Sequence, residues 1–148
     1  MVEWHSTRPQ TNSLRYQMNA SYCRLYVDSN GESHFDDVGV ELCEVPFAPP
    51  APPLWLCELG AAIRAAFLGG PAGWQGEWHQ STGRNLFVVI QGEWEIEVSD
   101  GEKRMFSPTD VVLLEDTSGK GHNSRVTSSD DSLALFVELG DKVMSNES

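Results

Sequence analysis

Two histidines are the residues best suited to carry chemistry, His79 in a short extended segment and His122 at the end of a glycine-rich loop. Imidazole exchanges protons near neutral pH, so two imidazoles that open into one cavity make an acid and base pair. Such a pair removes a proton beside a carbonyl and returns one to a leaving hydroxyl or to another carbon. The chemistry that these residue types predict is dehydration, isomerisation or cyclisation.

Six further side chains are candidates for contacting a substrate. Two of them follow His79 closely and would donate hydrogen bonds to substrate oxygen, and an arginine beside them would clamp a carboxylate or phenolate. One tyrosine faces the interior in only one of two strand registers, because a one-residue slip exchanges the two faces. The candidates are Ser81, Asn85, Gln91, Arg84, Trp78 and Tyr26.

The elements that must position these residues are short and extended. Seven segments bounded by turn residues cover 77–79, 86–91, 93–98, 103–106, 111–114, 122–127 and 133–139. Asp100-Gly101 lies between two alternating runs, which is a strong hairpin signal. Residues 58–68 are ambiguous, because their alanines favour a helix while their extended neighbours favour a strand, which we prefer. The pattern predicts an all-β barrel or sandwich.

The length of the chain predicts one domain, since 148 residues supply a single core and are too few for two. Residues 1–20 are polar and aperiodic and are expected to form an irregular N-terminal arm. We expect the single domain to cover 21–140 and a flexible tail to cover 141–148. The prolines of 47–54 predict a connector rather than a central strand.

The net charge of -12 argues against nucleic acid and anionic membrane surfaces as partners. No apolar run is long enough for a membrane-spanning helix, and we expect a cytoplasmic protein. The three cysteines form no short-spaced pair, which predicts reduced, structural thiols. Lys120 is placed to pair with Asp116 and thereby hold His122.

Two runs of residues have the spacing and order of the cupin motifs. The first is Gly73-x5-His79-x-Ser81-x3-Asn85-x6-Gly92, and the second runs from Gly101 through Pro108-x-Asp110 to His122. Over its whole length the chain resembles the small single-domain members of the RmlC-like cupin superfamily. The resemblance implies an antiparallel, jelly-roll-like β-barrel with the motif side chains inside it.

The resemblance also implies the positions of a metal site, which in cupins is usually built from two histidines and a glutamate of the first motif and one histidine of the second. The matching positions here are His79, Ser81, Asn85 and His122. A serine and an asparagine are poor replacements for an imidazole and a carboxylate, so the ligand count falls below the usual three. We therefore expect no cofactor and no metal.

Three functions follow as hypotheses. The first is a metal-free lyase or isomerase, such as a dehydratase or cyclase of secondary metabolism, acting on a small, partly apolar organic substrate and forming a homodimer. The second is a metal-dependent oxygenase or isomerase in which Glu77 or His34 completes a site with His79 and His122. The third is a non-catalytic small-molecule binding barrel.

Overall fold

The computed structural model describes residues 17–140, which form ten β-strands. Within this range, no helix is long and apolar enough to cross a membrane. The strands are β1 (Met18–Val27), β2 (Ser33–Val45), β3 (Leu54–Leu56), β4 (Ala62–Gly70), β5 (Arg84–Gln91), β6 (Trp94–Val98), β7 (Lys103–Phe106), β8 (Val111–Leu114), β9 (His122–Val126) and β10 (Ser132–Leu139). The prediction of an all-β chain is confirmed, and the ambiguous segment contributes strand β4.

The chain divides into two compact units. Of the described residues, the smaller unit comprises 17–20 and 39–58, and the larger comprises 21–38 and 59–140. In the smaller unit the end of β2 pairs antiparallel with β3, from Cys43 opposite Leu56 to Val45 opposite Leu54. Most of the predicted N-terminal arm and the whole predicted tail lie outside the described residues. The division into one domain with an arm and a tail stays a prediction.

The larger unit contains two separate hydrogen-bonded sheets. One has the strand order β2-β1-β8-β5-β10-β4, and the other has the order β7-β6-β9. Most pairings are antiparallel, as expected, but β1 runs parallel to β8 from Cys23 opposite Val112 to Leu25 opposite Leu114. The two ladders do not join into a closed cylinder, so the barrel is an open one made of two sheets.

Strands β5 and β6 show why particular side chains face the interior. Successive side chains of a strand point to opposite faces of the sheet. On β5 the buried residues are Asn85, Phe87 and Val89, and on β6 they are Trp94, Ile96 and Val98. An asparagine therefore occupies an interior position between hydrophobic neighbours, at the place where the chemistry is expected.

The three cysteines are free. Cys23 lies in the hydrophobic core of the larger unit, and burial raises the pKa of its thiol to about 11. A thiol with this pKa is protonated at neutral pH and is a poor nucleophile. Cys23 is a structural residue, as the spacing of the cysteines predicts.

Candidate active site

His79 and His122 face each other across a short antiparallel bridge. The amide of each residue donates to the carbonyl of the other, over 3.0 Å from His79 N and 2.9 Å from His122 N. The two imidazole rings lie with centroids 4.6 Å apart and planes inclined by 56°. Two residues 43 positions apart in the sequence are thus brought into ring contact by the hydrogen bonds of their own backbone.

Gly121 permits this close approach. Its φ of +78° is in the left-handed region that favours glycine. A Cβ atom at this position would overlap the carbonyl group of His79. The glycine before His122 is therefore a requirement of the histidine bridge and not only of the loop.

A buried carboxylate fixes the orientation of His122. The Nδ1 atom of His122 lies 2.6 Å from Oδ2 of Asp116, and neither residue is appreciably exposed. The other carboxylate oxygen accepts a hydrogen bond of 2.8 Å from the Ser81 hydroxyl, and the Ser81 amide donates to the Asp116 carbonyl. Because a carboxylate only accepts, Nδ1 of His122 carries a proton, and Nε2 is the nitrogen left for chemistry.

His79 is held in the same way by a neutral partner. Its Nδ1 lies 2.8 Å from the carbonyl oxygen of Glu77, which can only accept, so this nitrogen donates. The side chain of His79 is exposed, whereas that of His122 is buried. Both imidazoles therefore keep Nε2 available, but only His122 has a carboxylate behind it.

Both histidines line a cavity of about 440 Å³ in the larger unit. This size is within the range of small-molecule sites. One part of the wall is polar and contains His79, Gln80, Ser81, Asn85, His122 and Ser124. The other part is apolar and contains Trp74, Phe87, Trp94, Ile96, Leu114 and Phe136.

The apolar wall is mainly aromatic. The rings of Phe87 and Trp94 pack edge to face with centroids 5.1 Å apart, and those of Trp74 and Trp94 do so at 6.0 Å. Trp74 remains 39% exposed, whereas Trp94 is buried. Rigid aromatic rings of this kind offer both faces and edges to a ring-containing ligand.

Two polar atoms of cavity-lining residues lack a partner. They are Oδ1 of Asn85 and Nε1 of Trp94, and both residues are more than nine-tenths buried. Buried polar groups are normally hydrogen-bonded, so an unpaired one requires a reason. Neither atom has exposed surface in this conformation, so a ligand in the cavity reaches it only after a side-chain rotation.

The structure brings together four of the eight predicted site residues. His79, His122, Ser81 and Asn85 line the cavity, whereas the remaining four do not. Of those four, Trp78 is 46% exposed, Gln91 donates to the Asp131 carbonyl over 3.3 Å, and Tyr26 packs near His34 with ring centroids 5.5 Å apart. The fourth is Arg84. The roles of these residues in substrate binding stay predictions.

Arg84 binds a carboxylate of the protein itself. Its Nε donates to Oε2 of Glu115 over 2.7 Å, while Nε of Arg24 donates to Oε1 over 2.6 Å. Burial acts to raise the pKa of Glu115, but the hydrogen bonds from the two arginines outweigh it and hold the pKa below its ordinary value. This ion-paired cluster joins β1, the start of β5 and the end of β8.

The donor set does not fit the metal site that the cupin resemblance implies. The matching positions supply two imidazoles, the Asn85 amide and the Ser81 hydroxyl, which is already bonded to Asp116. Glu77 and His34, considered as completing ligands, are not among the cavity-lining residues, and His34 is bound to Asp28 and Asp100. Between residues 17 and 140 no cluster of three histidine, cysteine, aspartate or glutamate side chains is arranged to hold a metal ion.

The role of Asp116 is different from the one predicted. Its expected pairing with Lys120 does not form, because Lys120 Nζ donates to Glu32 Oε1 over 2.9 Å and Asp116 binds His122 directly. The sequence feature that could have predicted the Asp116–His122 hydrogen bond is the presence of an acidic residue six positions before a candidate histidine. The aromatic wall was harder to predict, because alternating tryptophans also fit a packed core.

No protein-family model and no curated protein matches the chain. Several solved structures are similar to it at low identity, and they include cupin proteins. A cupin superfamily protein from Desulfitobacterium hafniense is 20% identical, with a TM-score of 0.44 over 57% of this chain and 72% of its own. The Cnp3 cupin domain of Schizosaccharomyces pombe is 13% identical, with a TM-score of 0.45 over 87% of each chain.

A third similar structure is the DMSP lyase DddQ from Ruegeria pomeroyi, at 19% identity and a TM-score of 0.44 over 86% of this chain and 49% of its own. At these identities and scores, no activity and no residue role carries over to this chain. The chain is similar to cupin proteins in fold.

Proposed function

We propose that the chain is a small-molecule enzyme of the lyase or isomerase class that transfers protons between His79, His122 and an organic substrate without a metal. The observation that carries this proposal is the paired geometry of the two imidazoles. Each has Nδ1 tied to an acceptor, each lines the same cavity, and each keeps Nε2 for proton exchange. This is the arrangement that a positioned acid and base require.

The unequal partners of the two histidines assign their roles. Two positive charges on rings 4.6 Å apart would repel each other, so the proposed mechanism uses one positive charge on the pair. The carboxylate of Asp116 stabilises that charge on His122, whereas the carbonyl beside His79 carries no net charge. His122 is then the acid and His79 the base, and Asp116 is a positioning residue.

The proposed reaction begins with proton removal from a carbon beside a carbonyl by Nε2 of His79. In a dehydration, the electrons of the broken C–H bond form a C=C bond, and the C–O bond of a β-hydroxyl breaks. The departing oxygen takes the proton of His122 and leaves as water. In an isomerisation, the proton of His122 is delivered to another carbon instead.

The donor chemistry of the cavity supports the metal-free form of this proposal. No step of the proposed reaction needs a Lewis acid. At the cupin ligand positions, Ser81 and His122 are hydrogen-bonded to Asp116, and Asn85 supplies only a neutral amide. The absence of a cofactor, a cytoplasmic location and a homodimeric state stay predictions.

Deuterium exchange tests the proposal without knowledge of the natural substrate. The protein is incubated in D2O with β-tetralone and a panel of uncharged aryl ketones and β-hydroxy ketones, and NMR follows the protons beside the carbonyl. We expect exchange above the buffer rate that falls at least about 100-fold in His79→Gln and His122→Gln. His34→Gln, a histidine outside the cavity, is the matched control and keeps the wild-type rate.

Two results would overturn the proposal. If no member of the panel exchanges faster than in buffer, the non-catalytic binding barrel is the better interpretation. If exchange is lost with a chelator and restored by one divalent metal, the metal-dependent alternative is correct. An unchanged exchange rate in both histidine variants would show that His79 and His122 are not the catalytic acid and base.

A further inference from the structure

We propose that the cavity is specific for an uncharged aromatic compound carrying a hydroxyl group, and that the amide oxygen of Asn85 is the group that recognises this hydroxyl. This inference rests on the proposed function only in placing the substrate in the cavity of His79 and His122. It adds the charge of the substrate, its ring character and the residue that selects it.

The charge of the lining argues for an uncharged ligand. Among the described residues that line the cavity there is no lysine, arginine, aspartate or glutamate. Phosphate and carboxylate groups are usually recognised by arginine, lysine or the N-terminus of a helix, and the described residues supply none of these here. The carboxylate of Asp116 behind His122 further opposes an anion, because it places a negative charge next to the cavity wall.

The hydrogen-bonding state of the polar wall singles out Asn85. The hydroxyl of Ser81 donates to Asp116, and Nδ1 of each histidine is engaged. Asn85 is only 3% exposed, and its Oδ1 has no partner. Oδ1 has no exposed surface in this conformation, and the proposal includes a rotation about χ2, a soft torsion in asparagine, that exchanges the amide oxygen and nitrogen and presents the oxygen to the cavity that Asn85 lines.

An amide oxygen accepts hydrogen bonds and does not donate them, so it selects a ligand that brings a proton. A buried acceptor left unpaired has lost its water, and a donor from the ligand restores the missing bond. Sites that hydrogen-bond a substrate hydroxyl reject analogues without it more strongly than apolar pockets reject an added group. A hydroxyl is the uncharged donor that meets both requirements.

The aromatic wall provides the rest of the specificity. Trp94 packs edge to face against both Phe87 and Trp74, and Phe136 also lines the cavity. These rings form a rigid surface on which a second ring system can pack at little cost in side-chain entropy. The ligand class that satisfies both walls is a hydroxylated aromatic or fused-ring compound.

Three ligands of nearly equal shape test this inference by isothermal titration calorimetry. β-Naphthol is uncharged and donates, its methyl ether β-methoxynaphthalene is uncharged and does not donate, and β-naphthoate is an anion. We expect wild-type protein to bind β-naphthol about tenfold more tightly than the ether and more tightly than the anion. Asn85→Leu should reduce the preference over the ether to less than about twofold.

Two further variants serve as controls. Asn123 also has an unpartnered buried Oδ1 but does not line the cavity, so Asn123→Leu should keep the full preference. Asn85→Asp retains acceptor oxygens and should keep the preference for naphthol over the ether. This second Asn85 variant remains informative if the leucine variant does not fold.

The inference is overturned if the ether binds as tightly as naphthol, if naphthoate binds most tightly, or if Asn123→Leu removes the preference as completely as Asn85→Leu. Its failure is distinguishable from failure of the proposed function. Hydroxyl selectivity without ketone exchange would contradict the acid–base enzyme alone, and ketone exchange without hydroxyl selectivity would contradict the role of Asn85 alone.

Discussion

Asp116 and His122 form a buried pair in which Nδ1 lies 2.6 Å from Oδ2, with 0% and 4% of the respective side chains exposed. Nothing else in the cavity wall fixes a histidine tautomer as firmly. Because the partner is a carboxylate rather than a carbonyl, it both orients the ring and stabilises a positive charge on it.

Asp116→Asn is expected to reduce ketone exchange about 100-fold while leaving the fold intact, because an amide can present its NH2 group to His122 and favour the wrong tautomer. Nitrogen NMR of the His122 ring supplies an independent measurement. Wild type should show the Nδ1–H form, and the variant should show a mixture. Asp130→Asn, at an exposed turn, is the control, and a wild-type spectrum in Asp116→Asn would contradict the assignment.

A second histidine makes folding stability depend on pH. His34 lies between two carboxylates, with Nε2 2.7 Å from Asp28 and Nδ1 2.8 Å from Asp100. Both ring nitrogens donate only in the protonated form. The hydrogen bond to Asp28, followed by that to Asp100, raises the pKa of His34 above its ordinary value of 6.5. This protonated bridge links the turn after β1 to the turn after β6.

The sign of the effect follows from linkage. A raised histidine pKa contributes stability below about pH 6.5, and the contribution is lost as the pH rises through the folded value. The lowered pKa values of Asp28 and Asp100 contribute above about pH 4 and are lost as the pH falls. We expect urea midpoints to decline from pH 6 to pH 8 in wild type and to be flatter in His34→Gln. Parallel profiles would show that the bridge does not contribute.

Gly121→Ala tests the close approach of the two histidine segments. Gly121 and Gly73 have nearly equal φ values of +78° and +81°, but a Cβ at Gly73 meets nothing within 4 Å, whereas one at Gly121 overlaps His79. Each alanine carries the cost of a left-handed conformation, about 1–3 kcal/mol. Thermal denaturation should therefore show a clearly larger loss for Gly121→Ala, and equal losses would argue against a tight bridge.

Arg84→Met separates a structural arginine from a substrate clamp. Removing one of the two donors to Glu115 should cost about 2 kcal/mol of the free energy of unfolding, because both side chains of the pair are mostly buried. The affinity for β-naphthol should change less than about twofold. Arg64→Met, in the exposed pair with Glu138, is the matched control and should cost less. A large loss of affinity in Arg84→Met would instead support the predicted role of Arg84 in binding the ligand.

Much of the strand pattern follows from local chemistry. The Asp-Gly turn between β6 and β7 and the alternation of Trp94, Ile96 and Val98 are readable because hairpin turns and period-two burial depend on neighbouring residues. The parallel pairing of β1 with β8 could not be predicted from the sequence, since it joins residues about 90 positions apart. No local pattern distinguishes it from an antiparallel pairing.

The candidate site divides in the same way. His79, His122, Ser81 and Asn85 were identified from the order and spacing of two motifs, and all four line the cavity. Gln91 and Tyr26 have suitable residue types but contact other partners, and Trp78 is exposed and does not line the cavity. Alternation alone does not say which face of a strand meets a cavity.

The sequence alone determined the all-β class and identified the two candidate histidines, because these depend on residue type and spacing, and the resemblance to the cupin motifs implied that two metal-ligand positions are replaced. Only the tertiary structure decided what each polar group binds. Asp116 binds His122 rather than Lys120, Arg84 forms an ion pair with Glu115, and Oδ1 of Asn85 has no partner. Hydrogen-bond partners are chosen by distances of about 3 Å between residues far apart in the chain, which spacing along the sequence does not encode.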